Sequence, residues 1–149
     1  MPQEQIVIKI SKTNPSVQMP RYESAGAAGL DLRAFLEKDI CLKPLCRAKV
    51  PTGLQMEIPK GCEGQVRPRS GLAAQFGVTV LNSPGTIDSD YRGTLEIILI
   101  NLGSQDFNVK NGDRIAQLVI APVIRPVLEE ADSLSVTLRG NNGFGSTGL

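Results

Sequence analysis

Hydrophobic residues recur mainly at every second position along the chain. Isoleucines occupy alternate positions in residues 6–10, and apolar side chains alternate with polar ones in residues 54–58 and 107–110. A period of two predicts β-strands with one face in the core. Residues 95–100 and 118–121 are almost continuously apolar, which predicts strands buried on both faces.

Turn-forming residues separate these apolar segments. The chain contains 10 prolines and 15 glycines. Several of them form turn dipeptides between apolar segments, such as Asn111-Gly112. Many short strands at this spacing predict an all-β fold, either a sandwich or a barrel. One short helix is predicted over Ser70–Phe76, with Ser70 and Gly71 as its cap.

The end of the chain has a different composition. Residues 140–149 contain four glycines, two asparagines and a single aromatic residue, Phe144. They cannot build a core, and a frayed tail is the simplest interpretation of their composition. The length of 149 residues fits one domain, which we expect to span residues 1–138, followed by a flexible glycine-rich segment over residues 139–149.

The composition excludes several kinds of chemistry. The chain has no histidine, and its three cysteines form no Cys-x-x-Cys pair, so the usual zinc-ligand sets cannot form. Sixteen basic and fifteen acidic residues nearly cancel, which does not indicate bulk binding to nucleic acid or to a membrane. No signal peptide is recognised and no apolar run approaches the ~20 residues of a membrane span, so we expect a cytoplasmic protein.

Without histidine, a proton must be taken up by another side chain, such as a carboxylate. Asp88, Asp90 and Tyr91 lie together just before the apolar segment 95–100. One carboxylate is suited to act as a base while the other is held in a salt bridge. An ordinary Asp-rich turn leading into a strand is the competing interpretation.

A second candidate is the segment 67–71, which reads Arg-Pro-Arg-Ser-Gly. It joins two guanidinium groups to a predicted helix start, where free N–H groups and a glycine backbone suit phosphate oxygens. A capped helix with two surface arginines is the alternative.

Gln117 and the tail complete the set of candidates. Gln117 lies inside an apolar strand, where its amide needs partners, so it faces either a site or an interface. Phe144 between two glycines is suited to stack on a nucleobase, and Arg139 is suited to meet a phosphate.

Five segments in order carry a resemblance to a known family. They are residues 25–34 (AGAAGLDLRA), 67–78 (RPRSGLAAQFGV), 85–101 (GTIDSDYRGTLEIILIN), 112–120 (GDRIAQLVI) and 139–148 (RGNNGFGSTG). Together they resemble the five motifs of the trimeric deoxyuridine triphosphatase (dUTPase) family. One departure is Leu30, which stands before Asp31 where many members have tyrosine.

The resemblance implies a distorted jelly-roll β-barrel whose C-terminal tail is exchanged between subunits of a homotrimer. It implies Mg²⁺-assisted hydrolysis of dUTP to dUMP and pyrophosphate, which limits uracil in DNA and supplies dUMP for dTMP synthesis. Asp88 would activate the water that attacks the α-phosphate, Gln117 would orient the phosphates or the water, and Asp31 would reach the metal through water.

The resemblance also implies a set of substrate contacts. They are Arg69, Ser70 and Gly71 at the phosphates; Asn82, Thr86, Ile87 and Glu96 around the uracil; Tyr91 against the deoxyribose; and Arg139, Phe144 and Gly145 from a neighbouring subunit.

Two alternatives remain open. A dCTP deaminase, or a bifunctional deaminase–diphosphatase of the same fold, is expected to carry a catalytic glutamate just after the third-motif turn, and residues 91–94 contain none. The second alternative is a non-enzymatic binding module that has kept the nucleotide pocket, and the intact Asp88 argues against it.

Overall fold

The computed structural model describes residues 6–145. Over that range the chain forms eleven strands and one helix. The elements are β1 (Lys9–Lys12), β2 (Leu30–Arg33), β3 (Ile40–Leu42), β4 (Arg47–Pro51), β5 (Leu54–Glu57), β6 (Cys62–Arg67), α1 (Ser70–Phe76), β7 (Val78–Val80), β8 (Gly85–Ile87), β9 (Glu96–Asn101), β10 (Phe107–Val109) and β11 (Arg114–Pro122).

The described strands pair into four antiparallel sheets. The largest has the order β2-β11-β6-β8, and a three-stranded sheet has the order β4-β9-β7. Two-stranded sheets pair β1 with β5 and β3 with β10. The all-β class with one short helix is therefore confirmed. The described residues include no helix that is long and apolar enough to cross a membrane.

The core takes buried residues from all four sheets, and in most strands they alternate with more exposed ones. In β9, Ile97 and Leu99 are buried, whereas Ile98 and Ile100 are only partly buried. The prediction that this apolar segment is buried on both faces is wrong for the single chain. Partly buried residues also occupy the second half of β11, so both strands keep a half-covered apolar face.

The helix spans the predicted residues but begins differently. Its N-cap is Arg69, in an extended conformation and without a side-chain capping hydrogen bond, so the predicted Ser70-Gly71 cap is wrong. Gly77 ends the helix with φ of 68°, and its N–H bonds to the carbonyls of the last turn. The first-turn N–H groups have no side-chain cap and stay available to another acceptor.

A buried asparagine ties the end of β9 to two neighbouring segments. The Asn101 side-chain amide donates to Leu42 O at 2.8 Å and to Gln105 O at 2.7 Å, and its Oδ1 accepts from Gly103 N at 2.9 Å. Asn101 is fully buried, so these bonds are hard to replace with water.

No helix or strand follows β11 in the described part of the chain. We name residues 124–145 the arm. The large apolar side chains of the arm are at least 88% exposed: Ile124, Val127, Leu128, Leu134, Val136, Leu138 and Phe144. Exposed structure thus begins well before residue 139. The boundary between a 1–138 domain and a 139–149 lid stays a prediction, and residues 146–149 lie outside the described range.

Replacing Asn101 with alanine should lower the free energy of unfolding by roughly 3 kcal/mol, because three backbone groups lose their partner inside the core. Urea denaturation at fixed protein concentration measures this loss. Asn108→Ala, on the exposed face of β10, is the matched control and should change stability by about 0.5 kcal/mol or less. Equal losses in the two variants would contradict the structural role of Asn101.

Candidate active site

A pocket of about 270 Å³ lies between β8, the turn after it and β9. Six predicted site residues line it: Asn82, Thr86, Ile87, Asp88, Tyr91 and Glu96. Buried apolar residues, among them Val66, Val80 and Ile97, also line it. An apolar wall with a few polar groups is typical of a small-molecule site, and this volume suits part of a nucleotide.

Strand pairing and the turn that follows it place Asp88 at this pocket. β8 pairs with β6, so that Gly85 lies opposite Val66 and Ile87 opposite Gly64. Asp88 follows directly, and its carbonyl accepts the Tyr91 N–H at 3.1 Å. The turn therefore holds the two predicted functional side chains on one short loop.

Other contacts fix the same turn. The Tyr91 hydroxyl donates to Thr94 O at 3.1 Å, and its ring leaves no room for a Cβ on Gly93. Arg92 donates to Ser89 O at 2.7 Å. Neither Asp88 nor Asp90 forms a salt bridge with any described residue, so the predicted pairing of one carboxylate is wrong in the single chain.

Glu96 lies at the rim of the pocket and is paired there. Its carboxylate is 3.4 Å from Lys49 Nζ, with the two side chains 43% and 67% exposed. Such an exposed pair adds little stability. Lys49 also lines the pocket, and the sequence analysis did not single it out.

A second group of predicted residues gathers on three neighbouring strands. Asp31 on β2 pairs with Gln117 on β11, and Gln117 pairs with Arg67 on β6. Arg67 leads through Pro68 to Arg69 at the start of α1. Paired residues share one face of a sheet, so these polar side chains meet beside the helix start.

Two arginines hold the carboxylate of Asp31. Arg69 Nε lies 3.6 Å from Oδ1, and Arg114 Nη1 lies 3.3 Å from Oδ2. Arg69 Nη1 also donates to the Arg114 carbonyl at 3.1 Å. We name Asp31, Arg69, Arg114 and Gln117 the Asp31 cluster. Two guanidinium groups against one carboxylate leave a positive charge, which favours an anion.

Gln117 is fixed from two sides. Its Nε2 donates to Pro68 O at 3.0 Å, and its Oε1 lies so close to Gly29 that a Cβ there would clash with it. Only glycine therefore allows this side chain its place. The sequence analysis missed Gly29 and Arg114 as separate candidates, although both lie in the segments that carry the family resemblance.

The Asp31 cluster fits a magnesium ion only as an outer partner. Both Asp31 oxygens already face arginines, and the described residues contain no group of three acidic, cysteine or histidine side chains that could hold a metal. Mg²⁺ commonly keeps several waters and binds through substrate phosphates. A contact from Asp31 to the ion through a water molecule is consistent with this coordination.

The single chain does not bring the two groups together. Asp88 follows Ile87, which lies opposite Gly64, whereas Arg69 lies beyond Arg67, the last residue of β6. Three residues of strand, or about 10 Å, separate Gly64 from Arg67, and Asp88 and Arg69 lie beyond these two positions in opposite directions.

The predicted tail residues also lie apart from both groups. Arg139 Nε donates to Asn142 O at 2.8 Å within the arm. Phe144 is fully exposed, and Phe144 and Gly145 both have positive φ. None of Arg139, Phe144 and Gly145 lines the pocket of Asp88.

Comparison with known sequences identifies one family. The family model described as dUTPase matches residues 15–148. A deoxyuridine 5'-triphosphate nucleotidohydrolase from Treponema denticola is 56% identical over 93% of this chain and 96% of its own length. The enzyme of that name from Syntrophotalea carbinolica is 56% identical over 97% of this chain and 98% of its own.

Solved structures agree with the fold. A dUTPase of Staphylococcus bacteriophage 80alpha in complex with dUPNHPP superposes with a TM-score of 0.83 at 27% identity, covering 96% of this chain and 99% of the phage chain. A dUTPase of phage phi11, described with a structural Mg(II) ion, has a TM-score of 0.77 at 22% identity over 85% of this chain and 97% of its own, a similarity that concerns the fold. The predicted jelly-roll is thereby confirmed, and the chain belongs to the dUTPase family.

Proposed function

We propose that this protein hydrolyses dUTP to dUMP and pyrophosphate. The observation that carries the proposal is the pocket that gathers Asn82, Thr86, Ile87, Asp88 and Tyr91 from β8 and the segments on either side of it. Relatives that are 56% identical over nearly the whole chain bear the name of this activity. By this reaction the protein would limit uracil in DNA and supply dUMP, in the cytoplasm.

Asp88 is the general base in this proposal. Its side chain is exposed at the pocket, and it forms no ion pair with the described residues. Its carboxylate oxygens are therefore free to take a proton from water that attacks the α-phosphate. Asn82 and the backbone of β8 read the uracil edge, and Tyr91 lies against the deoxyribose.

The Asp31 cluster and the start of α1 receive the phosphates. Arg69 and the uncapped N–H groups of Ser70 and Gly71 offer donors to anionic oxygens, and Gln117 orients the phosphates or the water. When bound, Mg²⁺ would neutralise charge on the phosphates, with Asp31 facing it through water. The chemistry then needs mainly positioning and charge neutralisation.

We further propose that the site forms between subunits of a homotrimer. Asp88 and Arg69 lie at opposite ends of the β6–β8 pair, so one chain does not present both to one triphosphate. The arm exposes apolar side chains along its length, which favours a position against another subunit. From there Arg139, Phe144 and Gly145 would close over the nucleotide.

Asp88→Asn should abolish turnover while leaving the fold and nucleotide binding largely intact, because the change keeps the shape and removes the base. General-base catalysis contributes roughly 10²–10⁴-fold. Pyrophosphate release from dUTP measures the effect, and ammonia release from dCTP in the same samples tests the deaminase alternative. Asp90→Asn, in the same turn but outside the pocket lining, is the matched control. An Asp88→Asn variant that keeps more than about half of kcat would exclude Asp88 as the base.

Tyr91→Ala should narrow the preference for dUTP over UTP, because the ring would no longer crowd a ribose 2′-hydroxyl. The ratio of the two kcat/KM values measures the preference. Tyr91→Phe keeps the ring and loses only the bond to Thr94 O, so it should retain most of the discrimination. If Tyr91→Ala leaves the ratio unchanged, the steric explanation is wrong.

Deletion of residues 139–149 should leave a trimer, with about three times the mass of the shortened chain, and should lower kcat by about 10²-fold because closure no longer fixes the attack geometry. Light scattering gives the mass, and a value near one chain would contradict the trimer.

Mixed trimers test whether the tail acts on a neighbouring subunit. Tail-deleted subunits supply Asp88 and Asp88→Asn subunits supply tails, so verified heterotrimers should regain activity that neither parent has. Heterotrimers as inactive as both parents would show that the tail does not act in trans.

A further inference from the structure

The pairing of β11 with β2 contains a one-residue irregularity. Gln117 lies opposite Asp31 and Ala116 opposite Leu32, but the next pair is Arg114 with Arg33. Ile115 therefore has no partner of its own on β2. This two-against-one count is a β-bulge.

The bulge decides which face of the sheet receives Arg114. Side chains of a regular strand alternate between faces, yet Ile115 and Ala116 are both buried, at 1% and 0% exposure. In an unbroken register Ile115 would lie opposite Arg33, and Arg114 would lie opposite the buried Ala34. The arginine would then share a face with the core.

With the bulge, Arg114 lies on the face that carries Asp31. Its Nη1 donates to Asp31 Oδ2 at 3.3 Å, and its carbonyl accepts from Arg69 Nη1 at 3.1 Å. One residue thus touches both groups that lie at the proposed phosphate site. Asp31 is 17% exposed and Arg114 43%, so the contact is partly sheltered from water.

Resting on the proposed function, we infer that Arg114 is a positioning residue for the triphosphate. Its guanidinium group holds the Asp31 carboxylate, which Arg69 also contacts beside the start of α1. The bulge is the backbone feature that makes this possible. Arg114 acts through Asp31, so its effect depends on that carboxylate.

The test compares Arg114→Met with Arg33→Met. Arg33 is the cross-strand partner of Arg114 and bonds to Gly112 O instead of Asp31, so the control removes the same charge from the same face. Calorimetry with the analogue dUpNHpp and with dUMP separates contacts to the outer phosphates from contacts to the nucleoside. Thermal unfolding and light scattering check that both variants fold and assemble alike.

Arg114→Met should weaken dUpNHpp binding about tenfold, the loss expected for a charge-assisted contact, and should lower kcat/KM for dUTP by a similar factor. Binding of dUMP should change less than about twofold, as should every quantity for Arg33→Met. Arg114→Lys should recover part of the loss because it keeps one charged donor. In an Asp31→Asn background, Arg114→Met should cost less than about twofold, since the group it holds is gone.

Three outcomes would overturn the inference, and two of them are specific to it. If the wild-type protein is active, the inference alone is overturned when Arg114→Met and Arg33→Met bind dUpNHpp equally well. It is also overturned when the losses caused by Arg114→Met and Asp31→Asn simply add in the double variant. A wild-type protein that releases no pyrophosphate from dUTP overturns the proposed function, and this inference with it.

Discussion

The antiparallel register of β6 is the constraint on which the rest of the structure depends. β6 pairs with β8 on one side and with β11 on the other, so one strand positions both groups of functional residues. Gly64 in its centre is buried, and a Cβ there would press on Ile58 and Leu118 at 3.0 Å. The missing side chain lets β6 lie close to its neighbours. A one-residue slip of β6 would reverse the faces of every side chain it carries.

The same register explains why the single chain holds Asp88 apart from the Asp31 cluster. The turn of Asp88 and the start of α1 lie beyond opposite ends of the β6–β8 pair, and so short a pair of strands cannot bring its two ends together. Half-covered apolar faces on β9 and β11 and an arm of exposed apolar residues accompany this division. Burial of apolar surface stabilises by about 25 cal/mol per Å², so association that covers these surfaces is favoured, in keeping with the proposed trimer.

Local departures from regular structure supply the fine positioning. Arg69 rather than serine begins the helix, which leaves the first N–H groups without a side-chain cap. The bulge at Ile115 turns Arg114 toward Asp31, and Gly29 makes space for Gln117. Each departure occurs beside a residue that we assign to phosphate binding. Such local irregularities are common next to functional sites.

The sequence by itself determined the all-β class, the helix over Ser70–Phe76 and six of the residues that line the pocket around Asp88. It could do so because the period of two, the turn residues and the family motifs are local in the chain. Only the tertiary structure showed that Arg114 reaches Asp31, that Asn101 bonds two segments in the core and that β9 is buried on one face. These features arise from strand register and from contacts between residues far apart in sequence, and hydrophobic periodicity carries no information about which strands pair or where a bulge lies.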